Sequence, residues 1–321
     1  MHKEKNMRRK IQRVLAVTGG IAILLSIIGL VQSKWSEEAT MGDNEQDVQR
    51  IVSFEAPDSL MFAGEIVPME NFDTRESLDR ELNTNAYRHS STLLLIKRSH
   101  RYFPVIEPVL KEYGIPDDFK YLAVAESDLS NAISPARATG FWQFMGATGK
   151  EYGLEINKEV DERYHLGKST EAACRYFLKS FERYGNWTMV AASYNRGFNG
   201  VDRQINIQEQ KNYYDLLLPE ETSRYLFRVL SFKVIFSDPE RYGFNIPDDH
   251  LYPAIDYDIV KLDSAVVSFA DFAGNHGTNY KILKALNPWL RQPYLTNKSG
   301  KAYEIKVPRE GARTSAYSEK E

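Results

Sequence analysis

The chain has 321 residues, 42% hydrophobic and 26% charged, with a formal net charge of −3, values ordinary for a folded protein of about two domains with appendages. Six basic residues fall within the first 13 positions, leaving 35 basic against 43 acidic residues and a net −8 beyond them, which argues against a nucleic-acid partner. The single cysteine, Cys174, excludes an intrachain disulfide framework and a Cys-based metal cluster.

After the basic tail 1–13, Val14 to Val31 is uncharged and mostly Ile, Leu, Val, Ala and Gly. As a helix, 18 such residues rise about 27 Å, close to the bilayer core. With a basic flank before it and an acidic one after, the run is read as a single-pass anchor at 14–31 with the bulk of the chain outside. A cleaved signal peptide is the competing reading, with Val31-Gln32-Ser33 as a tolerable cleavage site. Residues 32–73 read as a linker: acidic at first, without sustained periodicity, and interrupted by Pro57, Gly64 and Pro68.

From Asp73 to about Asp238 the pattern is helical. One helix is expected over Glu76–His100, and another from Pro104 through Tyr113, closed by Gly114. Next comes Tyr121-Leu122-Ala123-Val124-Ala125-Glu126-Ser127. Phe119, Leu122, Ala123 and Glu126 fall at i, i+3, i+4 and i+7, so the carboxyl shares a face with apolar side chains. Ser127-Asp128 would end this helix. A carboxyl so placed must be paired or protonated. Burial and the negative end of a helix dipole both raise its pKa, which suits a general acid. The plainer reading is a Glu in a salt bridge at a helix end.

Ser134 to Met145 begins as a small-residue turn and becomes the aromatic block Gly140-Phe141-Trp142-Gln143-Phe144. Aromatics beside an amide suit sugar rings; a core helix with a buried Gln is the alternative. Ser169 or Thr170 can cap a helix over Glu171–Tyr184 that Gly185 ends. Trp187 to Tyr194 is a short apolar helix, stopped by Asn195-Arg196-Gly197. That stop is either a simple cap or an amide and a phenol aimed into a cleft near Glu126. Pro219 opens a long helix through Phe236.

Together, Glu126-Ser127, Ser134, Gly140-Phe141-Trp142-Gln143-Phe144 and Tyr194-Asn195-Arg196-Gly197 resemble the goose-lysozyme-like lytic transglycosylases, in particular the membrane-bound lytic murein transglycosylase D family. Gly114-Ile115-Pro116-Asp117, Tyr152-Gly153-Leu154, Val160-Asp161-Glu162-Arg163 and Leu218-Pro219-Glu220-Glu221-Thr222 with Tyr225 extend the likeness over roughly 85–240. The resemblance implies a mainly α, lysozyme-like catalytic domain (74–245). It also implies cleavage of the β-1,4 bond between N-acetylmuramic acid and N-acetylglucosamine in peptidoglycan, with 1,6-anhydromuramoyl ends and no cofactor or metal. By position it makes Glu126 the catalytic acid/base, Ser134 and Gln143 holders of the muramoyl unit and its N-acetyl group, and Tyr194 and Asn195 the pair beside the acid. It places the protein in the inner membrane with its catalytic domain in the periplasm, and glycan strands as its partner. The sequence departs from the family pattern at Arg137, where Gly is common, at Gly146, where Pro is common, and at Arg196, where Ala is usual.

Ordinary glycosidases set two carboxylates across the bond. No second one has an obvious claim here: Asp128 faces elsewhere on any helix, and Asp161-Glu162 lies in a block structural in the family. Water as nucleophile would make the protein a muramidase; a non-catalytic wall-binding scaffold is the third reading.

Residues 250–310 read as strand (Tyr257–Lys261), helix (Ser264–Ala273), helix (Asn279–Ala285), turn (Asn287-Pro288-Trp289-Leu290) and strand (Tyr303–Pro308). That order resembles a degenerate LysM module, with Leu262-Asp263-Ser264 where Gly-Asp-Thr is usual. A polar tail, 311–321, is expected to lack structure.

Overall fold

The structure, a computed structural model, describes Met7 and residues 51–315. The expected anchor at 14–31 and the first part of the linker lie outside the described residues. Among those described, no helix is long and apolar enough to cross a membrane.

The fold is mainly helical, as expected. Helices α1 (Phe72–Tyr87) and α2 (His89–Glu112) precede a short turn, Asp117–Phe119, and then α3 (Lys120–Ser127). After a non-helical loop come α4 (Gly146–Glu151), α5 (Leu166–Tyr184), α6 (Trp187–Arg196), α7 (Phe198–Gln208) and α8 (Glu220–Ser237). α8 is the hub: α1, α3 and α6 all pack on it. Phe119, Leu122, Phe177, Leu226 and Leu230 are fully buried in the shared core.

Three expectations are corrected. The helix boundary lies at Arg88, and α2 runs straight through Pro104 and Pro108. The two prolines are four residues apart and both exposed, so the carbonyls they leave without an N–H partner face water on one side. The helix expected to start after Ser169 or Thr170 begins earlier, at Leu166. Its cap is His165, whose ring Nδ1 accepts from the Lys168 N–H, while Thr170 Oγ1 donates back to the Leu166 carbonyl at 2.7 Å. The end of the expected linker is packed structure: strands β1 (Leu60–Phe62) and β2 (Glu65–Val67) form an antiparallel hairpin, with Phe62 and Val67 buried in the main core. Two-residue alternation over strands this short leaves little periodic signal.

In the C-terminal unit, β3 (Tyr257–Leu262) pairs antiparallel with β4 (Tyr303–Pro308), and α9 (Phe269–Asn275) and α10 (Tyr280–Leu286) lie between them in the chain. This is the expected strand–helix–helix–strand order. α9 starts five residues late because Val266 first bridges to Leu295. The tail is not structureless at its start: Ala312–Ser315 is helical and Ala312 is buried.

The unit is welded to the helical domain through residues 155–165. Val160 and Tyr164 lie in one core with Phe269, Trp289, Leu290 and Ile305. The Asp161 N–H donates to the Trp289 carbonyl at 2.9 Å, and the Arg291 N–H to the Glu159 carbonyl at 2.7 Å. The Arg291 guanidinium lies 4.0 Å from the Tyr164 ring centre.

The hairpin also reaches α6. The Glu65 carboxylate accepts from the N–H groups of Trp187 (2.5 Å) and Thr188 (3.0 Å), donors that a helix N-terminus otherwise leaves open. Glu65→Ala should therefore cost about 1–2 kcal/mol, read as a lowered urea midpoint at unchanged slope.

Candidate active site

α3 ends where expected. Asp128 takes a left-handed conformation (φ 53°) and its N–H closes on the Val124 carbonyl at 3.0 Å. Leu122 and Ala123 are fully buried, and their face carries Glu126 inward to partial burial. The Tyr225 hydroxyl donates to Glu126 Oε1 at 2.7 Å. Among the described residues no cation forms an ion pair with this carboxyl, so the salt-bridge reading falls away. Burial pushes Glu126 up to about 7; the Tyr225 hydrogen bond and the Arg228 charge pull it down, and the Glu221 charge adds to the rise.

Tyr194 and Asn195, at the end of α6, are brought to the same place through α8. Asn195 Oδ1 accepts from Thr222 Oγ1 at 2.9 Å, and Thr222 sits one helical turn before Tyr225 on one face of α8. That leaves the Asn195 NH₂ group to donate. The Tyr194 hydroxyl donates to the Trp142 carbonyl at 2.6 Å, and its ring packs on Phe177 and Tyr176. Burial, and then the nearby Glu126 charge, raise its pKa well above the usual phenol value. Its hydroxyl thus fixes the backbone of the aromatic block.

That block is a turn, not a helix. Gly140 has φ 83°, and a Cβ there would lie 2.0 Å from the Arg163 carbonyl oxygen, so only glycine fits. Gln143 is itself left-handed (φ 48°). Its Nε2 donates to the carbonyls of Gly140 (2.8 Å) and Ala132 (3.1 Å), which leaves Oε1 as the amide atom able to accept. Ser134 lies on the same loop. Its Oγ accepts from the Ala138 N–H at 3.0 Å, and its hydrogen bonds stay within that loop. Gln143 and Ser134 are therefore gathered on one loop and Glu126, Tyr194 and Asn195 around α8, with the Tyr194–Trp142 bond joining the two groups. Arg137, at φ 68°, occupies a position whose backbone suits the glycine of the family pattern.

Asp161 and Glu162 are structural. Asp161 pairs with Arg163 at 2.7 Å and Glu162 with Lys168 at 2.5 Å. Although burial opposes its ionisation, the Lys168 hydrogen bond and the Glu155 N–H hold Glu162 below its ordinary value. Glu221 is exposed and pairs with Arg228 at 3.3 Å. Sequence reasoning left Tyr225 and Arg228 out of the site. The available signal was a hydroxyl-bearing ring, with an arginine three residues on, inside the apolar run of α8. A hollow of about 780 Å³ beside Pro104, Pro108 and Ile115 does not include Glu126.

A partly buried carboxyl at the end of a central helix, without an ion pair among the described residues and bonded to a tyrosine hydroxyl, has the chemistry of a proton donor. Residues 104–217 match the family model "Transglycosylase SLT domain". The chain carries a transglycosylase SLT domain. Residues 258–311 match a second model, "Soluble lytic transglycosylase C-terminal LysM-like domain", so the SLT domain is followed by a LysM-like one. The chain is 28% identical over 287 residues to proteins named Membrane-bound lytic murein transglycosylase D from Escherichia coli K12 and from Escherichia coli O6:H1. The match covers 88% of this chain and 60% of each relative.

Because folding raises the Glu126 pKa from 4.5 to about 7, the fold favours the protonated form. That contribution is full below about pH 4.5 and is lost as pH rises through 7. Glu126→Gln removes the charge. It should stabilise the SLT domain by up to about 3 kcal/mol at pH 8 and by little at pH 4, measured by urea unfolding at the two pH values.

Proposed function

We propose that this protein is a peptidoglycan lytic transglycosylase that cuts the β-1,4 bond between N-acetylmuramic acid and N-acetylglucosamine with Glu126 as its one acid/base. The observation that carries the reading is Glu126 itself: a carboxyl with no ion-pair partner among the described residues, its pKa pushed up to about 7, within an SLT domain. The other carboxylates with a claim to be a second catalytic group, Asp128, Asp161 and Glu162, are engaged in ion pairs.

In this reading neutral Glu126 gives its proton to the glycosidic oxygen as the C1–O bond breaks, and the N-acetylglucosamine end leaves as an alcohol. The Tyr225 hydroxyl, donating to Oε1, supports the carboxylate so formed. Glu126 then takes the proton from the muramoyl C6 hydroxyl as that oxygen bonds to C1, closing the 1,6-anhydro ring and restoring the acid. An attacking group already on the sugar has a high effective concentration, and one positioned carboxyl contributes about 10²–10⁴-fold. Gln143 Oε1 accepts from the acetamido N–H, Asn195 donates to the sugar, and the Ser134 hydroxyl holds the muramoyl unit. Tyr194 positions the loop that carries Gln143.

The lysozyme-like architecture, the domain limits 74–245 and 250–310, and glycan binding by the LysM-like unit belong to the same proposal. So does an inner-membrane anchor at 14–31 with the catalytic domain in the periplasm, a place consistent with relatives named membrane-bound. Mass spectrometry of muropeptides released from purified sacculi tests the reaction. The expected products are anhydro ends, reduced at least about 10²-fold in Glu126→Gln. Reducing ends would make the protein a muramidase; unchanged release by Glu126→Gln would overturn Glu126 as the acid/base, and no release by the unaltered chain would leave only the wall-binding scaffold.

A further inference from the structure

We propose that the seam between the SLT domain and the LysM-like unit is a second sugar site, built for one carboxylated amino-sugar unit: the N-acetylmuramic acid of a wall glycan. This rests on the reading of the chain as a peptidoglycan-acting protein, but on none of the groups around Glu126.

The seam encloses a cavity of about 250 Å³, just under the range that holds drug-sized ligands and suited to one sugar ring. Its walls are aromatic from both sides: Tyr102 and Phe141 from the helical domain, in edge contact at 4.8 Å, and Tyr257 and Trp289 from the C-terminal unit. Such rings suit the apolar face of a pyranose. Between them stand two cations. Arg101 gives its Nε–H to the Pro253 carbonyl at 2.9 Å, and Lys306 Nζ lies 4.3 Å from the centre of the Tyr257 ring. Among the described residues neither pairs with a carboxylate, and the lining contains no Asp or Glu, in a chain with more acidic than basic residues. His165 adds a donor. Its Nδ1 accepts from the Lys168 N–H, so Nε2 carries the ring proton, and burial with the charges of Lys306 and Lys168 pushes the ring down to about 4, keeping it neutral.

Aromatic walls with several donors and no anion call for a ring that brings acceptors and a negative charge. N-acetylglucosamine would satisfy the walls and leave both cations unmatched. N-acetylmuramic acid has the same ring and acetamido group and adds the lactyl carboxylate, which can take charge-assisted hydrogen bonds from Arg101 and Lys306.

The full chain, labelled with ¹⁵N, is titrated with N-acetylmuramic acid and separately with N-acetylglucosamine. The readout is the Trp289 indole N–H resonance, assigned by its loss in Trp289→Phe. N-acetylmuramic acid should shift it saturably, and N-acetylglucosamine at least about fivefold more weakly. Lys306→Met and Arg101→Met should each weaken the acid by about tenfold, while Glu126→Gln leaves the titration unchanged. The two cations sit on different elements, so if one variant fails to fold the other still reads the same quantity. No shift, equal binding of the two sugars, or full affinity in a folded cation variant overturns the proposal. Sacculus digestion by the unaltered chain runs in parallel. Digestion without a Trp289 shift sinks the seam site alone; a shift without digestion supports the seam and sinks the enzyme reading.

Discussion

The hydrogen bond from Tyr225 to Glu126 is the contact on which the site depends. It joins residues 99 positions apart and sets the last turn of α3 against the second turn of α8. A hydroxyl can partner a carboxyl both with and without its proton. An arginine at the same distance would hold the carboxylate ionised; a purely apolar wall would keep it protonated. The arginine within reach, Arg228, is drawn to other acids: Glu221 at 3.3 Å and the buried Glu81 at 3.9 Å. Arg224 binds Glu81 more closely, at 2.6 Å. These pairs offset the positive charge of α8, and among the described residues the Glu126 carboxyl forms no ion pair.

The second constraint is backbone geometry. Gly140 passes so close to the Arg163 carbonyl that no side chain fits, and Arg163 in turn donates to the carbonyls of Phe144 and Arg137 at 3.2 Å each. The turn is thereby held at both ends. Gln143 keeps a left-handed conformation inside it, a local strain that the surrounding hydrogen bonds sustain. The Gln143 amide is thereby held in one orientation by the backbone carbonyls of Gly140 and Ala132.

Much of this was legible in the chain. The i, i+3, i+4, i+7 spacing placed Glu126 on an inward face, Gly185 and Gly197 marked two helix ends at positive φ, and the strand–helix–helix–strand order was plain. What escaped was non-local or locally misleading. Tyr225 looked like one more ring in an apolar helix, because nothing near it in sequence reveals a partner on α3. Prolines usually end helices, yet two on one solvent face spare α2. His165 is a rare cap, and it displaced the Ser and Thr that local preference favours. The hairpin at 60–67 is too short to show its period, although Phe62 lies at the centre of the core.

The join through residues 155–165 has a consequence for how a long polymer would be handled. A binding module on a slack tether raises the local amount of its ligand and leaves the point of attack to chance. Here one segment is at once an edge of the C-terminal core and the support beneath the Gly140 turn. Under the proposed reading, a strand gripped by that unit would meet Glu126 at a set span and heading, as stock held in a jig meets a fixed blade. Fragment lengths would then follow from the architecture of the join rather than from random encounter.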